Sequence, residues 1–390
     1  MGILFLLGAC GAESNFWGLM VSETEANSYP ALIQKAQSEY NNGNYLAAID
    51  FTEEAMALNP DDSEPVVLNA FATLGLANLD PVDLSQKFVE IQIENEDTGV
   101  DKDTSDFLSD LQKVLNITES DLAKMGTQKT TEINGTTYVY YEPNSVEDSR
   151  ANFPQLGYVR TVINKICGFI PESSKLSNDD GLIPLHQCDI QSLSLRNQTT
   201  VQFLWALSHL GETLYFNSLL LYAPPGQTTP SIKAIIDDVS SQSFATTADA
   251  TTYLNSLSAI SDVTSGVFGN ATGGGSMLRE VINHLQTASR AIGDIPSIPD
   301  QVKKSIDESL ENINSIKDAE GSFAEDDSAL RAELLKDSGD KLLKQLQTLE
   351  DNQAITPAQR DEACNNIFNI LGLDTNQTLP PEISEETLCN

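Results

Sequence analysis

His209 and Glu212 stand three residues apart in a long apolar stretch, so a helix there would put an imidazole and a carboxylate on one face, close enough to share a proton. In a pocket such a pair performs acid–base chemistry. In a packed core it is a mutually satisfied polar pair, and that is the expectation here, because no nucleophile or oxyanion donor is patterned around it. The other groups that carry chemistry are sparse. The three histidines, His186, His209 and His284, include no i, i+4 pair of the kind that holds zinc on a helix. The glycine-rich run from Gly269 to Ser276 precedes a helix but lacks the Gly-Lys-Ser/Thr ending of a phosphate cradle, and reads as an interhelical loop. No GxSxG elbow occurs, and the acidic clusters Asn178 to Gly181 and Glu325 to Asp327 lack the alternating ligand order of a calcium loop. The expectation is a protein that is not an enzyme and uses neither a cofactor nor a metal.

Five cysteines remain, and Cys10 differs from the others. It follows the apolar run Ile3 to Leu7 and the small residues Gly8 and Ala9, the pattern of a signal-peptide ending. Leu7-Gly8-Ala9-Cys10 resembles the lipobox of bacterial lipoproteins. The resemblance implies cleavage before Cys10, a diacylglycerol on its sulfur, and, with Gly11 rather than Asp next, delivery to the outer membrane on its periplasmic side or at the cell surface. Acyl chains contribute about 0.8 kcal/mol per buried methylene, so several on one residue would hold the chain to a bilayer. No Lys or Arg precedes Lys35, and the apolar run is shorter than the roughly 7–15 residues of an ordinary signal core, so a start further upstream is expected. The remaining Cys167, Cys188, Cys364 and Cys389 are even in number in a chain expected to be exported, which suits two disulfides. Three pairings are open; the sequence-local one joins Cys167 to Cys188 and Cys364 to Cys389.

The formal net charge of −35 over 390 residues excludes nucleic acid and anionic headgroups as partners, since polyanions repel over a Debye length of about 8 Å. It favours cationic partners, or simply a solvated acidic surface. Hydrophobic content of 40% is enough to bury substantial cores.

After a polar tether ending near Ser28, apolar and small residues recur at helical spacing through Tyr29 to Asp62, broken at Asn41 to Asn44 and stopped at Asn59-Pro60. Ala36, Tyr40, Gly43, Tyr45, Ala48, Ala55, Leu58 and Pro60 together resemble a tetratricopeptide repeat, in which small residues let paired helices approach, Gly43 ends the first helix and Pro60 separates the units. A second unit opens at Glu64-Pro65 and degenerates after Asn78. Thr118, three residues before Asp121, caps a short helix, and Thr130 to Glu142 reads as a β-hairpin around Asn134-Gly135. Its tyrosines either face outward or, as expected, pack as a lid on the helices. Further helices are expected at 149–170, 199–222, 229–240, 246–262, 276–293, 300–318, 326–349 and 357–371. His209, Glu212 and Asn217 interrupt the apolar run of 199–222, which makes it a central helix rather than a membrane span.

The expected organisation is therefore mainly α. A signal peptide (1–9) and a lipid-anchored tether (10–28) precede tetratricopeptide-like hairpins (29–95), which continue into a larger irregular helical body (96–390) with one small hairpin near 130–142. The expected function is a lipid-anchored envelope adaptor that presents a groove to a protein or peptide, with Tyr40 and Tyr45 as candidate contacts and at least one of them in the core. The other expectation is a small-molecule accessory of a transport system, in which Trp205, Phe203 and Tyr215 ring a cavity beside His209 and Glu212.

Overall fold

A computed structural model describes residues 27–81, 117–170, 198–220, 232–242, 244, 246–268, 274–293, 331–332, 335–373 and 389. Cys10 with its tether, Cys188, His186, both acidic clusters and the helix expected at 300–318 lie outside the described residues. Twelve α-helices and one two-stranded antiparallel sheet occur among the described residues, so the chain is mainly α with a small hairpin. No described helix is long and apolar enough to cross a membrane. The chain forms two compact units.

The first unit contains α1 (Tyr29–Asn41), α2 (Tyr45–Leu58), α3 (Ser63–Leu76), α6 (Pro154–Ile166), α7 (Gln198–Leu220) as far as Tyr215, and α10 (Gly274–Gly293) from Val281 onward. α1 starts with Pro30 in its first turn, where a missing N–H costs nothing, and the chain turns at Gly43 with φ +76°, a left-handed value suited to glycine. Asp62 caps α3 by accepting the Glu64 amide at 3.0 Å. α1 packs on α2 and α2 on α3 through the fully buried Ala36, Ala48 and Ala55, and α6 closes on α3. Polar side chains pair between these helices: Asn69 donates to Thr52 at 2.8 Å, and Lys165 of α6 donates to the Asn69 side-chain amide oxygen at 2.7 Å. A Cβ built on Gly75 would lie 2.6 Å from the Tyr45 ring. Gly75→Ala should therefore lose about 1–3 kcal/mol to overpacking, more than the roughly 1 kcal/mol that alanine gains in helix propensity. A raised urea midpoint in the variant would show that the ring can yield.

The second unit contains α4 (Glu119–Met125), β1 (Gly126–Ile133), β2 (Thr136–Pro143), α5 (Val146–Asn152), α8 (Ile232–Ser241), α9 (Thr247–Phe268), α11 (Lys336–Asp351), α12 (Pro357–Leu371) and the remaining ends of α7 and α10. Thr118 caps α4 as expected, with its N–H and Oγ both donating to Asp121. Asn134 (φ 54°) and Gly135 (φ 78°) form the two-residue turn, whose left-handed residues match the twist of the paired strands. The hairpin lies against helices: Asn134 donates to Gln242 and accepts from Ser256, each at 2.8 Å, while Tyr138 donates to Asp238. Tyr138, Tyr140 and Tyr141 are buried, so these rings fill a core. The single helix expected at 149–170 is two, because Pro154 holds Phe153 at φ −110°, ψ 100°, outside the helical region.

α12 packs on α9 and α11, and ends at Gly372 in the left-handed conformation. Arg331 donates to the terminal carbonyls of Ile370 and Asn369 with its guanidinium over the Phe268 ring. Cys364 and Cys389 form a disulfide across 25 residues. Cys167 is disulfide-bonded as well, and Cys188, its sequence-local candidate, lies outside the described residues. Closing a loop of that length limits the unfolded chain, so Cys389→Ser should cost about 3 kcal/mol in oxidising buffer and nothing in reducing buffer. Equal midpoints in both buffers for the parent chain would contradict the bridge.

Candidate functional site

Helix α7 is buried from Leu204 to Leu220, including its polar residues Ser208, His209, Glu212 and Thr213. α10 is amphipathic: Met277, Val281, His284, Ala288 and Ala291 follow one another at helical spacing and are all buried, which puts His284 in the middle of an apolar stripe. Within the first unit the two helices meet where Thr213 donates to the Val281 carbonyl at 3.4 Å.

At that crossing three titratable groups form a chain. His284 Nε2 lies 2.6 Å from Glu212 Oε2, and His284 Nδ1 lies 2.7 Å from His209 Nδ1. All three side chains have 0% exposure. Trp205, one turn before His209, meets that imidazole edge-on with ring centroids 4.4 Å apart. Sequence spacing places His209 and Glu212 on one face, but it is His284, on another helix, that joins them.

Hydrogen bonding constrains the protons. With an ionised carboxylate and two neutral rings, His284 Nε2 donates to Glu212, so His284 Nδ1 has only a lone pair to offer and His209 Nδ1 must be the donor between the rings. One proton lies between the two Nδ1 atoms. A proton added to the pair lets that one cross to His284 and set an imidazolium directly against the carboxylate. The arrangement is thus a carboxylate–imidazole–imidazole relay. The two nitrogens of His284 point to different partners, so His209, Glu212 and His284 do not converge on one ion.

The other candidate residues are engaged within the chain. Tyr40 and Tyr45 donate to the same oxygen of Asp80, at 2.9 and 3.0 Å, and both rings are half-buried beside Phe71 and Gly75. Trp205 and Tyr215 are buried, and Phe203 is half-buried. Tyr215 packs edge-on against Phe153 and donates to the Ala77 carbonyl.

The described residues thus define a mainly helical chain with a small antiparallel hairpin and one buried polar relay in its first unit. No protein-family model, no curated protein and no solved structure matches this sequence.

Proposed function

We propose that the chain is a lipid-anchored adaptor of the cell envelope, held to the membrane through Cys10 and binding a protein partner through its helical hairpins. The observation that carries this reading is the outer side of α2. Leu46 and Leu58 are 64% and 58% exposed at its two ends, with the acidic Asp50, Glu53 and Glu54 exposed between them. Ala48 and Ala55 close the side of the helix opposite Leu46. Exposed leucines flanking an acidic stretch offer a basic, partly apolar partner both kinds of contact. The small residues of α1 and α2 also support the tetratricopeptide-like reading, since they permit the close helix pairing that such repeats use to display a surface. Leu7-Gly8-Ala9-Cys10 supports the anchor, Gly11 supports the outer membrane, and the Cys364–Cys389 bridge suits an oxidising compartment. The small-molecule reading is less favoured, because His209 and Phe153 occupy the space against the Trp205 and Tyr215 rings that a ligand would need.

The test is made in the native host. The membrane fraction should yield an intact mass matching a chain that begins at acylated Cys10, and Cys10→Ala should release the protein. Photocrosslinkers at positions 46 and 58 should give a discrete adduct that Leu46→Asp abolishes. An unprocessed chain away from the membrane defeats the anchor, and the absence of adducts from both positions defeats the adaptor.

A further inference from the structure

We propose that the outer edge of β1 captures an extended, cationic segment of the partner by strand addition, a reading that rests on the adaptor function and gives its partner a chemistry. Ile133 faces Thr136 across the two-residue turn and so exchanges both backbone hydrogen bonds with it. Counting back in twos, Thr131, Lys129 and Thr127 likewise spend their N–H and C=O groups on β2. Gln128, Thr130 and Glu132 direct theirs the other way. The parity agrees with Pro143, which lacks an N–H and stands opposite Gly126, at a position of the outward kind. Among the described residues nothing hydrogen-bonds the outward groups of Gln128, Thr130 and Glu132. Thr127 to Thr130 and Glu132 are exposed, so the side chains of both strand faces are open along this edge.

Strand edges are commonly blunted by proline, a bulge, a charged side chain such as lysine, or a covering element. β1 has an unbroken register of eight pairs and no proline. Its one basic residue, Lys129, is turned to Glu142 at 3.2 Å. The threonines suit a pleated surface and, with the free backbone groups, make a template for another strand.

The charge around the hairpin selects the occupant. Glu132 lies on β1 itself, Glu142 on β2, and Asp238 receives the Tyr138 phenol. Burial and then Asp238 push the Tyr138 phenol up to about 12, while burial and then Glu142 and Asp262 raise Tyr140. Tyr141 is raised too, by burial and then by Glu119. Against these acids stands Lys129, already paired. A strand bearing Lys or Arg on alternate positions is drawn to this edge, whereas a second copy of a chain with net charge −35 is repelled from it.

The probes are labelled peptides with the eight residues of β1 as their length: one alternating lysine with valine, one with glutamate for lysine, and one with the lysine–valine sequence N-methylated at alternate positions. Fluorescence anisotropy against the full chain should show the lysine peptide binding at least about tenfold more tightly than either of the others. Thr130→Pro removes an outward N–H and leaves the β2 ladder intact, so it should weaken binding by about the same factor with an unchanged melting curve. The N-methylated comparison stands on the parent protein if that variant does not fold. Equal binding of the methylated peptide means charge alone and overturns strand addition, as does undiminished binding to a folded Thr130→Pro. A dimer in sedimentation that Thr130→Pro dissociates gives the edge to a second copy and also overturns the proposal. Crosslinking from positions 46 and 58 that persists while the peptides fail leaves the adaptor standing with this edge removed from it.

Discussion

His284→Leu is expected to destabilise the first unit by about 3–5 kcal/mol, the cost of taking a hydrogen-bonding partner from a buried carboxylate. The substitution takes from Glu212 the imidazole 2.6 Å away, and from His209 the ring 2.7 Å away, in a place where none of the three side chains reaches solvent. Leucine fills most of the volume, so the loss reports the lost polar contacts more than a cavity. Glu212→Gln tests the same contact differently. Its amide oxygen can still accept from His284 Nε2, and the loss should fall to about 1–2 kcal/mol. The double variant Glu212→Leu with His284→Leu should recover most of what His284→Leu loses, because exchanging a buried ionic contact for apolar packing is often neutral. Urea unfolding, with hydrogen exchange on the amides of α7 to locate the loss, measures all three. A loss below about 1 kcal/mol in His284→Leu would mean that no charge is held at this crossing.

The sequence shows half of this cluster. His209 and Glu212 are three apart and can be placed on one face from spacing alone. His284 is 75 residues from His209, and no local pattern pairs them. The available signal is its position in the apolar stripe of α10 between Val281 and Ala288, since a histidine on a buried face needs a polar partner from another element. The same contrast runs through the fold. Helix α3 opens where Glu64-Pro65 predicts, the hairpin turns at Asn134-Gly135, and Thr118 caps α4, because each is set by residues within a few positions of one another. The break at Phe153 is local as well, and Pro154 announces it. What spacing does not reveal is where a lone charge goes. Arg331 is spent on the carbonyl end of α12, 38 and 39 residues away, and Lys165 on Asn69 of α3. Tyr40 and Tyr45 read as candidate contacts with at least one in the core, and both turn to Asp80, which lies beyond the run from Ala36 to Pro60 that suggested them.

The second large effect concerns Arg150, whose two acidic partners separate burial from contact. Its guanidinium lies 2.9 Å from Glu280 and 3.2 Å from Glu147, and it stacks over the Phe216 ring with 5.6 Å to the centroid. By distance the two ion pairs are nearly equal. By solvent they are opposites: the Glu280 side chain is 7% exposed and that of Glu147 is 84% exposed. An exposed carboxylate is screened by water and salt, so Glu147→Ala should leave the melting temperature unchanged. Glu280→Ala takes from the Arg150 guanidinium, itself 7% exposed, the buried carboxylate 2.9 Å away, and should cost the second unit about 3–5 kcal/mol. Arg150→Met keeps an apolar stem against Phe216 and should cost about as much, because it takes from the Glu280 carboxylate the guanidinium 2.9 Å away. Combining Glu280→Ala with Arg150→Met should cost less than the sum of the two, since both remove the same contact. Thermal unfolding of the four variants at low and high salt decides the matter. Equal losses from Glu147→Ala and Glu280→Ala would show that Arg150 is held by contact geometry and that burial contributes nothing.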